Sequence, residues 1–262
     1  MRGVLGACLS ALVGAVAAVS WSADAAVPGS CTNRSNYHAG GYTAATTAVF
    51  GSRARIEFNN PDLCEADATS HSASVVWSMI TAGSATSSSP SADGWAQAGY
   101  GQFGSQSGFG TSGFHVFSQY TLKCKSTLTC GSGSSVKTEF GGTVTVSHFY
   151  ENYVRASDGR IHMGVDGTQL DVTNYNPSGD WAPEYEGQFA GEVLHPQSDI
   201  AGTSSDVTTL DYLQKYSSSG SIAFFQVVHP APVPYTRFHR SVTDASVGGQ
   251  RLDIWTSPLG SF

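Results

Sequence analysis

Charge is scarce in this chain. Asp, Glu, Lys and Arg make up 13% of its 262 residues, about half the usual share of roughly 25%. Lysine occurs only at Lys123, Lys125, Lys137 and Lys215, and the net charge is −7. A surface of this kind offers no basic patch for nucleic acid or an anionic membrane. Beyond the N-terminus no apolar run is long enough to span a bilayer. The sequence has no C-x-x-C pair and no histidines at ligand spacing, which argues against a zinc site. It has no G-x-S-x-G turn, so the α/β-hydrolase arrangement of a Ser/His/Asp triad is missing. The Gly-rich runs lie between strand-like segments rather than before a helix, which removes the usual phosphate-binding loop. Helical periodicity is nearly absent, and no fixed-period repeat occurs.

What is present at the N-terminus reads as an export signal. Arg2 supplies the positive charge, Val4 to Val19 is apolar, and Ala23-Asp24-Ala25 offers small residues for cleavage. Residues 1–25 are expected to be removed, leaving residues 26–262 as one secreted domain, soluble and monomeric. The net charge does not change, because Arg2 and Asp24 leave together. Cys8 leaves as well. Cys31, Cys64, Cys124 and Cys130 remain, an even set that reads as disulfides in an exported protein. Three pairings are open. Cys31–Cys64 with Cys124–Cys130 is favoured, because the second pair closes a short Gly/Ser/Thr-rich loop and the first ties down the N-terminal segment. Asn33-Arg34-Ser35 matches a glycosylation sequon.

Strand character dominates the rest. Ala73 to Ala82, Trp95 to Phe103, Phe114 to Leu122 and Thr143 to Val154 are rich in Val, Ile, Thr and aromatics, and Gly, Ser, Asn, Asp or Pro clusters bound them. In Thr143–Tyr150 the valines alternate onto one face, as do the apolar residues of Ile161–Val165. Further strands are expected near Thr168–Thr173, Gln188–Leu194, Ile222–Val228 and Arg251–Trp255. Val207–Tyr216 reads equally as a short helix or a strand. Ser84–Asp93 and Gly104–Gly113 read as hairpin loops, and Pro230, Pro232 and Pro234 as a strand-ending connection. His195 and His229, each before a proline, read as surface or loop residues. The pattern predicts a single-domain, all-β antiparallel sandwich.

Two polar residues stand out among small and aromatic neighbours. Gln97 lies in Gly94-Trp95-Ala96-Gln97-Ala98-Gly99-Tyr100, and Glu192 in Gln188-Phe189-Ala190-Gly191-Glu192-Val193. A desolvated glutamate has a raised pKa and can act as acid or base, and a glutamine amide can orient water and donate to an oxyanion. A Val-Trp strand, then Gln-x-Gly, an aromatic-rich strand and a later Glu resembles the glutamic peptidases (eqolisins) and the wider set of secreted bacterial concanavalin-like sandwiches. The similarity runs from about Val75 to Tyr216. It implies a jelly-roll-type concanavalin-like fold, an acid-acting hydrolase with Gln97 and Glu192 as its dyad, and no cofactor. It also implies that Trp77, Trp95 and Phe117 line or support the sheet. The chain departs from the family in having Phe189-Ala190-Gly191 where a Trp normally precedes the glutamate.

A non-catalytic extracellular role, in glycan recognition or as a cell-surface structural protein, is the alternative, with a polypeptide or a glycan as the expected ligand. Trp95, Tyr100, Trp181 and Tyr185 could form an aromatic platform, and Trp181 follows the turn Asn176-Pro177-Ser178-Gly179-Asp180. Glu184, Glu186 and Glu192 are spaced by even numbers, so one uninterrupted strand would put them on one face. A paired-carboxylate glycosidase needs such acids at a defined separation.

Overall fold

The computed structural model describes residues 37–43, 49–61, 63–64, 73–82, 94–104, 113–121, 136–174, 176, 185–195, 198–224, 229–230, 237–244 and 249–257. The signal segment, Cys31, Cys124, Cys130, the Asn33 sequon, Glu184, Trp181 and the 84–93 loop lie outside these residues, as does most of the 104–113 loop. Among the described residues there is no helix. The strands, in chain order, are β1 (Tyr37–Tyr42), β2 (Gly51–Ile56), β3 (Ala73–Ala82), β4 (Trp95–Phe103), β5 (Gly113–Thr121), β6 (Val136–Thr143), β7 (His148–Val154) and β8 (Ile161–Val165). They continue with β9 (Thr168–Val172), β10 (Tyr185–Val193), β11 (Thr208–Tyr216), β12 (Ile222–Phe224), β13 (His229–Pro230), β14 (Phe238–Asp244) and β15 (Gln250–Thr256).

They form two antiparallel sheets. A 7-stranded sheet runs β13-β1-β10-β3-β4-β5-β6, and an 8-stranded sheet runs β14-β15-β11-β2-β7-β8-β9 with β12 added on β11. The chain crosses repeatedly between the sheets, from β1 to β2 and back to β3, and again around β10. This gives the concanavalin-like, jelly-roll type of sandwich that the sequence led us to expect. Val76, Ile80, Tyr100, Tyr150, Phe189, Leu210 and Ile254 fill the space between the sheets. A polar contact crosses the same space: Ser78 Oγ donates to Ser52 Oγ at 2.9 Å, and Asn152 Nδ2 donates to the Ser78 carbonyl at 2.7 Å.

β3 shows why its sequence reads as a continuous apolar run. Val76 and Ile80 point inward, whereas Val75, Trp77 and Met79 join a second apolar cluster on the outer face. A strand buried on both faces loses its alternation. β11 settles the ambiguity of Val207–Tyr216 in favour of a strand. Its pairing with β2 is interrupted between Asp211 and Gln214, and Tyr212 there has φ 48°. The bulge divides β11, so its first half pairs with β15 and its second half with β12.

Two expectations change. The predicted strand Thr143–Val154 is broken: β6 ends at Thr143, and residues 144–147 are irregular before β7. Val144 is buried and Val146 is 58% exposed, so the two valines do not share a face. His195 lies in a loop, one of the two places expected for it, and is buried there. The β8–β9 hairpin turns on Asp166 and Gly167, with φ 49° and 76°, as an Asp-Gly two-residue turn requires.

Candidate functional site

Because directly paired residues of antiparallel strands share a face, the register of the 7-stranded sheet lays its outer face out in rows. One row holds His38, Glu192, Val75, Gly101 and His115. The next holds Gly40, Ala190, Trp77, Gly99 and Phe117. A third holds Tyr42, Gln188, Met79, Gln97, Gln119 and Thr138. Glu186, Thr81 and Trp95 follow in the fourth.

The centre of this face is closed. Trp77, Met79, Phe103 and Phe117 are buried in one apolar cluster, and Phe103 meets Phe117 edge-on with centroids 5.6 Å apart. Gly99 sits between Trp77 and Phe117 in the row. A Cβ there would stand 2.0 Å from the Val76 carbonyl oxygen, so only glycine fits. Trp77 and Phe117 therefore support the face rather than presenting ring faces to a ligand. Tyr100, proposed for an aromatic platform, lies in the core between the sheets, and so does Tyr185. Trp95 is half-buried, at the edge of the outer cluster.

The third row carries a directed chain of neutral hydrogen bonds. Gln97 Nε2 donates to Gln119 Oε1 at 2.8 Å, and Gln119 Nε2 donates to Thr138 Oγ1 at 3.0 Å. Gln119 and Thr138 are half-exposed, and Gln97 is buried beneath them. In the same row Gln188 Nε2 donates to Glu186 Oε1 at 2.9 Å, with both side chains buried. Sequence reasoning missed Gln119, Thr138 and Gln188. The residues around Gln97 in sequence held no sign of them, because they come from other strands.

Glu192 occupies the opposite end of the face. Trp77 Nε1 donates to its Oε2 at 3.0 Å, and Val75 and Leu194 flank it. Burial pushes its carboxyl up from 4.5 to about 7, against the smaller pull of the indole bond in the other direction. The side chain nevertheless keeps some solvent access. His38, directly opposite on β1, is half-exposed. Burial, and then the positive charge of Arg240, hold its pKa below the usual histidine value.

The structure does not bring Gln97 and Glu192 together. Gln97 pairs with Met79 and Glu192 with Val75, with β3 lying between their strands. Four residues along a strand and two strand spacings across amount to a Cα separation of about 16 Å, beyond the reach of one shared water. Glu186 and Glu192 do share the outer face. They are six residues apart on β10, or about 20 Å, far outside the 5–9.5 Å of paired-carboxylate glycosidases. Cys64 is disulfide-bonded, and its sulfur accepts from Ser198 Oγ at 3.3 Å. Among the described residues no group of three or more His, Cys, Asp or Glu could hold a metal ion.

No protein-family model matches this chain, and no curated protein does either. Solved structures show a distant likeness. A Bacteroides ovatus mixed linkage glucan GH16 protein in complex with its G4G4G3G product has a TM-score of 0.38 at 10% identity, over 66% of this chain and 74% of that one. LamAcat from Zobellia galactanivorans gives 0.34 at 7%, over 80% and 65%. A Bacillus licheniformis β-glucanase gives 0.31 at 12%, over 80% and 67%. These values are too low to carry a residue or an activity across.

Proposed function

We propose that this chain is an exported glycan-binding sandwich whose ligand lies on the outer face of the 7-stranded sheet, over Trp95, Gln119 and Thr138. The amide chain from Gln97 through Gln119 to Thr138 carries the reading. Its members are uncharged, and each can both donate and accept, which matches sugar hydroxyls better than an ion or an apolar molecule. Among the described residues the Thr138 hydroxyl proton has no further partner, and Thr138 and Gln119 keep solvent access, so this end of the chain can meet a polyhydroxylated ligand. The half-buried Trp95 beside this row supplies an apolar surface of the kind such sites use.

The peptidase reading drawn from the resemblance needs Gln97 and Glu192 on one water, which the register does not favour. Binding is tested by presenting the folded protein to an array of neutral oligosaccharides, alongside Trp95→Ala and Gln119→Ala variants. The reading expects binding in at least one class, weakened about tenfold or more in each variant; one lost hydrogen bond of ~1.4 kcal/mol suffices for that. No binding by folded protein, or binding indifferent to both changes, would remove it.

A further inference from the structure

At the other end of the same face, Glu192 and His38 form a second chemical unit. Their register makes them direct cross-strand neighbours, with Cβ atoms about 5 Å apart. Trp77 fixes one carboxyl oxygen of Glu192, and among the described residues nothing bonds the other. Both side chains keep solvent access. We infer that Glu192 and His38 are a metal-free acid/base pair that hydrolyses acyl compounds, carboxylic esters first.

The geometry favours acyl chemistry over glycosidic cleavage. In acyl hydrolysis the attacking water and the departing oxygen bond to the same carbon, so an acid and a base on one side, with Cβ atoms about 5 Å apart, can serve both. Inversion at a glycosidic carbon needs groups about 6.5–9.5 Å apart, and retention at about 5–5.5 Å needs a second carboxylate as nucleophile, whereas the residue facing Glu192 is a histidine. His38 takes a proton from water as its oxygen bonds the carbonyl carbon, while the Glu192 carboxylic acid gives its proton to the carbonyl oxygen. The tetrahedral intermediate then collapses. The carbon–oxygen bond to the alcohol breaks, the imidazolium returns its proton to the leaving oxygen, and the hydroxyl proton returns to the Glu192 carboxylate. Ester and water become acid and alcohol, with both groups restored.

The protonation states agree. Glu192 keeps its proton up to about pH 7, and His38 stays neutral to a lower pH than a free histidine, so the acid is protonated and the base free in the same interval. Among the described residues the charged and titratable neighbours are few. Arg240 reaches from β14 to donate to the Gly40 carbonyl at 3.1 Å and helps keep His38 neutral. Tyr42 interacts with Arg240 and lies opposite His229 in the register of β1 and β13. From β3, Glu192 faces only Val75 and Trp77.

The pair shares a face with the amide row but none of its residues, so either can fail alone. The test follows hydrolysis of p-nitrophenyl acetate, and separately of casein, from pH 4 to 9. It compares the native protein with His38→Gln, Glu192→Gln and the double variant, with folding checked by circular dichroism. Expected are a narrow bell between the lowered His38 titration and about pH 7, and a loss of about 10²–10⁴-fold in each single variant. The double variant should be no worse than either single one, because the two act as a unit. Casein cleavage with the same residue dependence would extend the substrate class to amides. No hydrolysis of either probe by folded protein, or activity surviving both single changes, overturns the inference.

Discussion

Replacing Glu192 by Gln should change how stability depends on pH. The folded protein raises this carboxyl from 4.5 to about 7 because burial disfavours the charge. Between those values the folded chain therefore holds more protons than the unfolded one, and stability falls as pH rises. The contribution is intact below about pH 4.5 and lost above about 7. At about 1.4 kcal/mol per pH unit the full difference is about 3 kcal/mol, and partial solvent access brings the expected loss to about 2–3 kcal/mol. Glutamine keeps the shape and does not titrate. Urea unfolding of both proteins from pH 4 to 8 should show the native chain losing those 2–3 kcal/mol relative to the variant. Curves that stay parallel within about 0.5 kcal/mol would refute the reasoning, since a carboxyl pushed to about 7 cannot be thermodynamically silent.

Trp77→Phe keeps an aromatic ring but removes the indole donor to Glu192; the same titration should then move above about 7, read from the pH at which stability declines. Arg237 is almost fully buried and pairs with Asp199 while its Nε donates to the Ser257 carbonyl at 3.1 Å. Arg237→Ala leaves the Asp199 carboxylate without that partner and should cost about 2–4 kcal/mol in chemical denaturation. Gly51→Ala should destabilise by about 1–3 kcal/mol, because its Cβ would stand 2.5 Å from the Asn152 carbonyl oxygen and from the Tyr153 Cβ. Tyr153 and Tyr216 stack at 4.8 Å on either side of that glycine, so near-ultraviolet circular dichroism should report the disturbance as well.

The strands were legible where local chemistry decides them. Ala73–Ala82 and Trp95–Phe103 stand where their composition puts them, and Ile161–Val165 keeps its alternation because one face meets the core. Thr143–Val154 misled because its alternating valines satisfy a strand pattern that the backbone leaves for four residues. Tyr212 bends β11 by a bulge that no turn residue announces. The site was harder to read for a topological reason. Gln97 and Glu192 look alike in sequence, each a polar residue among small neighbours, but their separation depends on the register of three strands. The same register assembles Gln97 with Gln119 and Thr138, and Glu192 with His38, from segments far apart along the chain. Spacing within a strand fixes which face a residue takes, and only pairing between strands fixes its row.

The most direct test of the binding face is nuclear magnetic resonance of isotope-labelled protein titrated with the oligosaccharide that binds best on the array. The account predicts that the side-chain amides of Gln97 and Gln119 and the Trp95 indole shift together at saturable ligand concentrations. Shifts gathered instead around Tyr153 and His162 on the outer face of the 8-stranded sheet would contradict it.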